Sequence, residues 1–146
     1  YFDLYENEQM ESELGARKVA LDTLMQTADF ICVNMPLSEQ TNNLVSADLI
    51  NMMKPDAVFV NTARAELVNE QALISHLNAD KLHGAGLDVY SDNVNDINVD
   101  NVALTSHFAN FEKEAYTAMT NLVADNVIGY LNQAQAVTPV NAPLRE

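Results

Sequence analysis

An α/β fold built on a mostly parallel sheet is what this sequence predicts, and three observations predict it. Short apolar runs of strand length alternate with segments that carry helix caps and helical spacing. The runs Phe30–Met35 and Ala57–Val60 are apolar throughout except at Asn34, as strands covered on both faces are. Polar residues suited to chemistry fall late in a strand or just past one: Arg64, Asp88 and His107. Ligands of open α/β sheets bind beyond the carboxyl ends of the strands, so these residues share the edge where a substrate would lie.

In chain order, Tyr1–Tyr5 is aromatic-rich and reads as a strand, with Asp3 in it or at its end. Glu6–Leu14 is made of good helix formers, and Gly15 is the stop signal. Lys18–Ala20 reads as a short strand and Asp22–Ala28 as a short helix. The strand Phe30–Met35 ends at Pro36, and Cys32 inside it reads as a small core residue. Ser38–Asn43 is a polar loop. Ser46 caps a helix running to Met53, which Pro55 keeps from continuing.

The strand Ala57–Val60 follows, closed by Asn61 and Thr62, with Arg64 in the turn beyond. Asn69 caps a helix from Glu70 to about Ala79, with Leu73 and Leu77 inward and His76 at its boundary. His83–Val89 is the next strand, its glycines pointing to close backbone packing. Ser91–Asn101 lacks periodicity and reads as a loop, and Val102–Thr105 as a strand. Phe111–Asn132 is one long helix with an apolar stripe through Ala115, Met119, Leu122, Val123, Val127, Tyr130 and Leu131. Val137–Glu146, with Pro139 and Pro143, looks extended.

Composition narrows the function. The 146 residues are 48% hydrophobic, enough for one domain with a core. Seven Lys and Arg stand against 21 Asp and Glu, a net charge of -14, which disfavours nucleic acid and anionic membranes as partners. One cysteine leaves no disulfide within the chain and no cysteine-rich metal site, so no metal is expected and a reducing, cytoplasmic setting fits. No run approaches the length of a membrane span, and no signal peptide stands at the start. Opening on Tyr1 rather than Met suggests a piece of a longer protein.

The strand-end residues limit the chemistry. A guanidinium such as Arg64 offers a rigid fork that fits a carboxylate. A histidine such as His107 gives or takes a proton near neutral pH. Together they suit a small hydroxy or oxo acid, and a redox reaction on it would need a nicotinamide cofactor, because no side chain here accepts a hydride. The plainer alternatives are a solvated loop arginine and a hydrogen-bonded structural histidine.

Met-Lys-Pro at Met53–Pro55, Val-Asn-Thr-Ala-Arg at Val60–Arg64, Gly-Ala-Gly-Leu-Asp-Val at Gly84–Val89 and Leu-Thr-Ser-His at Leu104–His107 stand in a telling order. With these motifs the chain resembles the nucleotide-binding domain of the D-isomer-specific 2-hydroxyacid dehydrogenases, over nearly its whole length. The resemblance implies a Rossmann-like, doubly wound and mostly parallel sheet, here partial because the first βαβ unit with its glycine-rich phosphate loop is missing. It implies a partial NAD-binding domain over residues 1–132 and an extension over 133–146 returning toward the substrate domain.

It also implies an NAD-dependent oxidoreductase that interconverts a small D-2-hydroxy acid and its 2-oxo acid, usually as a homodimer. Arg64 would bind the substrate carboxylate and His107 would be the acid/base. Asp3 would hold the adenosine ribose, Asn34, Met35, Pro36, Thr62 and Ala63 would line the cofactor cleft, and Asp88 would sit near the nicotinamide carboxamide. Two further departures stand out. Ala65 replaces the usual glycine after the arginine. Asn93 falls where the histidine's carboxylate partner usually stands, with Val94 in place of the proline after it; Asp92 or Asp96 could substitute in a reshaped loop. The alternative to an enzyme is a non-enzymatic relative that senses a dinucleotide or binds a protein.

Overall fold

The computed structural model describes residues 1–133 of the chain. Two compact units divide it: Tyr1–Ser106, and a second beginning at His107. The first unit is built on four parallel strands, β1 (Phe30–Val33), β2 (Val58–Asn61), β3 (Gly84–Leu87) and β4 (Val102–Leu104), lying side by side in sequence order. Register pairs Cys32 with Val60, Val60 with Gly86, and Gly86 with Ala103. With every strand pointing the same way, all the strand ends fall on one edge.

The helices of this unit are α1 (Glu8–Leu14), α2 (Leu21–Thr27), α3 (Ala47–Asn51) and α4 (Glu70–Asn78). Their ends follow the sequence signals. The Asn7 side chain accepts from Met10 N–H, Ser46 from Leu49 N–H and Asn69 from Ala72 N–H. Gly15 closes α1 at φ 65°, a left-handed turn that a residue with a Cβ enters at a cost. Crossovers between parallel strands keep one hand, so α3 and α4, which join successive strands in one direction, fall on the same face of the sheet. Ile50, Leu73 and Leu77 from them meet Ile31, Val33, Phe59, Ala85 and Leu87 in a single core.

Strand alternation sends the other side chains to the opposite face. Phe30 and Cys32 are exposed there, while Val58 and Val60 are half-buried. Cys32 is therefore not a core residue, because the period of two that buries Ile31 and Val33 turns it outward. Gly84 is a close-packed glycine: an added Cβ would lie 2.6 Å from the Asn101 carbonyl oxygen. Gly86 is not, since its added Cβ would meet only Val60 methyls at ordinary contact distance.

Other differences from the sequence reading have local causes. Tyr1–Tyr5 and Lys18–Ala20 form no strand. Tyr1 exchanges one pair of bonds with the facing segment, its amine donating to Arg17 O at 2.7 Å and its carbonyl accepting from Val19 N–H at 2.9 Å. Asp3 Oδ1 then takes Tyr5 N–H at 3.1 Å and bends the chain away before a ladder can extend. The second strand is shifted by one residue, excluding Ala57 and taking in Asn61. The Ser91–Asn101 loop contains a 3₁₀ turn at Asp92–Asp96.

The second unit holds a 3₁₀ turn, Ala109–Phe111, and the helix α5 (Lys113–Gln133). Phe108 and Phe111 stack edge to face with ring centroids 5.3 Å apart. The apolar stripe foreseen on this helix is present but exposed, from Met119 and Leu122 to Tyr130 and Leu131. The extended segment expected at Val137–Glu146 lies outside the described residues, as does all but Gln133 of the 133–146 extension. No described helix is long and apolar enough to cross a membrane.

Candidate active site

β2 delivers Arg64. The strand ends on Asn61, which is 2% exposed and is the buried polar residue among the described residues. A buried amide must find partners for both its ends. Here Oδ1 accepts from Ala63 N–H at 3.0 Å and Nδ2 donates to Arg64 O at 2.9 Å. Thr62, Ala63 and Arg64 are thus wound into a turn fixed from inside the protein. Arg64 leaves it in extended geometry, φ −148° and ψ 143°, and opens the short 3₁₀ turn Ala65–Leu67. Its guanidinium is exposed, with Nη1 donating to Ala63 O at 2.6 Å. Ala65 enters without a positive φ, so the missing glycine after Arg64 costs this turn nothing.

Asn34, Met35 and Pro36 follow β1 and stand beside this turn. A cavity of about 540 Å³ is lined by Asn34, Met35, Pro36, Leu37, Ala63 and Arg64. Thr62 Oγ1 lies 3.4 Å from Asn34 Oδ1, bridging the ends of β1 and β2. A second cavity of about 620 Å³ shares Asn34 and Met35 with the first and reaches Phe2 and Asp3. Of the residues foreseen as a cofactor cleft, Asn34, Met35, Pro36 and Ala63 line the smaller hollow with Arg64, while Thr62 lines neither; the larger hollow follows the open edge of β1 and reaches the exposed Asp3. Lys18 also comes near: its Nζ donates to Leu4 O at 3.1 Å. Leu4–Gln9 itself carries no Lys or Arg, and the fold supplies a cation from fourteen residues away.

β3 delivers Asp88, half-buried, with Oδ1 accepting from the Thr105 hydroxyl beyond β4. The Asp88 N–H donates to Asn61 O at 2.9 Å, tying the two strand ends together. The loop after β3 is held from outside, by α4. Glu70 accepts from Ser91 N–H at 2.9 Å and from the Ser91 hydroxyl. Asn78 donates to Asp96 O at 2.8 Å and accepts from Asn98 N–H at 2.9 Å. Asn93 rides on this loop, exposed, its N–H donating to Ser91 Oγ at 3.2 Å. Asp92 and Asp96 are exposed on the same 3₁₀ turn.

His107 opens the second unit and has φ 56°, the left-handed region that a histidine enters at a cost. Such strained residues gather at functional sites. Among the described residues no group of His, Cys, Asp and Glu could hold a metal ion.

Arg64, Asp88, Asp3, Asn34, Met35, Pro36, Thr62, Ala63, Asn93 and His107 are the positions that the sequence singled out, and the structure adds others around them. Asn61, Glu70, Asn78 and Thr105 were not recognised as site-building residues. The signal for Asn61 was there: an amide closing an apolar strand just ahead of a turn has its own backbone to satisfy.

The fold and these residues define a nucleotide-binding α/β domain, and comparison with known proteins names its family. Residues 1–109 match the model of the D-isomer specific 2-hydroxyacid dehydrogenase NAD-binding domain. The chain belongs to the D-isomer specific 2-hydroxyacid dehydrogenase family.

Among curated relatives, a glyoxylate reductase of Pyrococcus furiosus is 35% identical over 145 residues, 97% of this chain and 43% of that protein. The apo D-mandelate dehydrogenase of Rhodotorula graminis is 30% identical, with TM-score 0.89 over 99% of this chain and 44% of that one. The NADPH-dependent glyoxylate/hydroxypyruvate reductase of Sinorhizobium meliloti, solved with NADP and malonate, is 30% identical. Its TM-score is 0.83 over 100% of this chain and 46% of that one. The chain thus spans less than half the length of the relatives it matches.

Proposed function

We propose that the protein carrying this chain is an NAD-dependent oxidoreductase interconverting a small D-2-hydroxy acid and its 2-oxo acid. The observation that carries this reading is the hollow at the carboxyl ends of β1 and β2, where Asn34, Met35 and Pro36 face Ala63 and Arg64 at the edge of a parallel sheet. The dinucleotide, when bound, supplies the hydride chemistry that no side chain here can. Asp3 would hold its ribose, and Asp88, whose carboxylate accepts from the Thr105 hydroxyl, would stand near its carboxamide. Arg64 forks the substrate carboxylate and draws electron density from the neighbouring carbonyl. His107 delivers a proton to the carbonyl oxygen on reduction and takes it back on oxidation. The reading includes a homodimer, on family resemblance, and a cytoplasmic setting, on the single cysteine of the chain.

The Asp3 carboxylate favours a ribose diol over a 2′-phosphate, and Glu6 and Glu8 add like charge. Catalytic efficiency should therefore be higher with NADH than with NADPH, measured on glyoxylate, pyruvate and hydroxypyruvate. Efficiency equal or better with NADPH would remove Asp3 from this role and point to Lys18 as the phosphate's partner. The second reading is a dinucleotide-sensing protein without turnover, favoured by Asn93 at the usual carboxylate position. Dinucleotide binding with no turnover on any of the three oxo acids would establish it over the first.

A further inference from the structure

We propose that Asn61 is the positioning residue of the anion grip: its buried amide sets the turn from which Arg64 holds a small carboxylate. The inference rests on reading Arg64 as the carboxylate's partner. The connection is continuous in the structure. Asn61 Oδ1 holds Ala63 N–H at 3.0 Å, and Ala63 O in turn holds Arg64 Nη1 at 2.6 Å. Asn61 Nδ2 holds Arg64 O at 2.9 Å, so the arginine is fixed at its main chain and at its side chain.

The anchor itself cannot drift. Asn61 is 2% exposed, sits inside a parallel ladder between Val33 and Leu87, and receives Asp88 N–H at its carbonyl. Its amide has one acceptor end and one donor end, and the turn needs one of each. Aspartate has the same shape but only acceptors when ionised, so it faces the Arg64 carbonyl with a like dipole. Serine is too short to span both bonds. No other residue reproduces the pair at this size.

A residue that merely stabilises the strand would lower stability without regard to Arg64. A positioning residue loses its effect once the guanidinium is gone. The test is a double-mutant cycle on Asn61→Asp and Arg64→Lys in the full-length protein. It is read by KM for glyoxylate and NADH and by calorimetric binding of oxalate. Asn61→Asp should raise glyoxylate KM and weaken oxalate about tenfold, while NADH KM stays within about twofold. In the Arg64→Lys background the same change should shift either quantity by no more than about twofold.

Equal fold-changes in both backgrounds overturn the proposal, as does an unchanged glyoxylate KM with unchanged oxalate binding. A wild type that turns over no oxo acid but binds oxalate with the expected coupling refutes the function and keeps the positioning role. A wild type that does neither refutes both. Asn61→Ser serves as the second variant if Asn61→Asp fails to fold, with the same expected coupling.

Discussion

The turn after β2 and the loop after β3 sit on the same sheet edge and are held in opposite ways. Thr62–Arg64 is pinned from within by one buried amide at the end of its own strand. Residues 91–98 are pinned from without, by Glu70 at one end of α4 and Asn78 at the other, through exposed bonds. An internal pin is strong because its anchoring amide, on the buried Asn61, has little water to fall back on. An external pin fixes a path while leaving the side chains along it free to change. Two departures from the family pattern, Asn93 and Val94, stand on the externally held loop; a third, Ala65, follows the internal turn, whose Val-Asn-Thr-Ala-Arg motif is intact.

Substitutions can break this contrast or sharpen it. Asn61→Leu should have the largest effect, a loss of roughly 2–4 kcal/mol in urea denaturation, because Ala63 N–H and Arg64 C=O lose their partners together. A loss below about 1 kcal/mol would mean that water replaces the amide and the internal pin is not strong. Arg64→Lys keeps the charge but not the fork. It should cut catalytic efficiency on the oxo acid by roughly ten- to a hundredfold, the weight of one charge-assisted bond of about 1.5–3 kcal/mol. An unchanged efficiency would make Arg64 a solvated loop residue.

Glu70→Ala removes the external pin at Ser91. A loss of about 1 kcal/mol is expected, with faster amide exchange confined to the loop and none at Ala63. Exchange spreading to the β2 turn would show that the two regions are not held separately. Asn93→Glu should leave stability within about 0.5 kcal/mol, as exposed changes do. A carboxylate at the family's usual position favours a protonated imidazole, so the fall of reduction with rising pH should move upward. If Asp92→Asn moves that fall downward while Asn93→Glu leaves it alone, Asp92 holds the role.

Lys54→Gln sets the floor. Lys54 pairs with Asp29, and that hydrogen bond raises its pKa above the ordinary lysine value. A raised lysine pKa contributes stability that is present through neutral pH and lost only as pH climbs past the raised value. The variant should therefore differ from wild type by little and by the same amount from pH 6 to 9.

How much was legible in advance follows the same division. Caps, stops and strand cores depend on neighbours in sequence, so Asn69, Ser46, Gly15 and the burial of Leu73 and Leu77 could be read directly. The strand-end position of Arg64 followed from them. What the sequence did not reveal depends on partners far along the chain. Lys18 reaches Leu4, Glu70 reaches Ser91 and Asn78 reaches Asn98 only because the fold lays those segments together. Tyr1–Tyr5 has strand-like composition, but strand formation needs a ladder, and its pairing stops after Tyr1 meets Arg17 and Val19. Cys32 was misplaced for a simpler reason: a run of apolar residues does not say which face of the strand stays open.

That misplacement has a practical consequence. The chain's single thiol stands on the open face of β1, between the buried Ile31 and Val33, and it is exposed. A maleimide dye would therefore attach at one known address, two residues from Asn34 at the cavity rim. The rate of alkylation in solution would measure how much of that face of the sheet stays open to solvent.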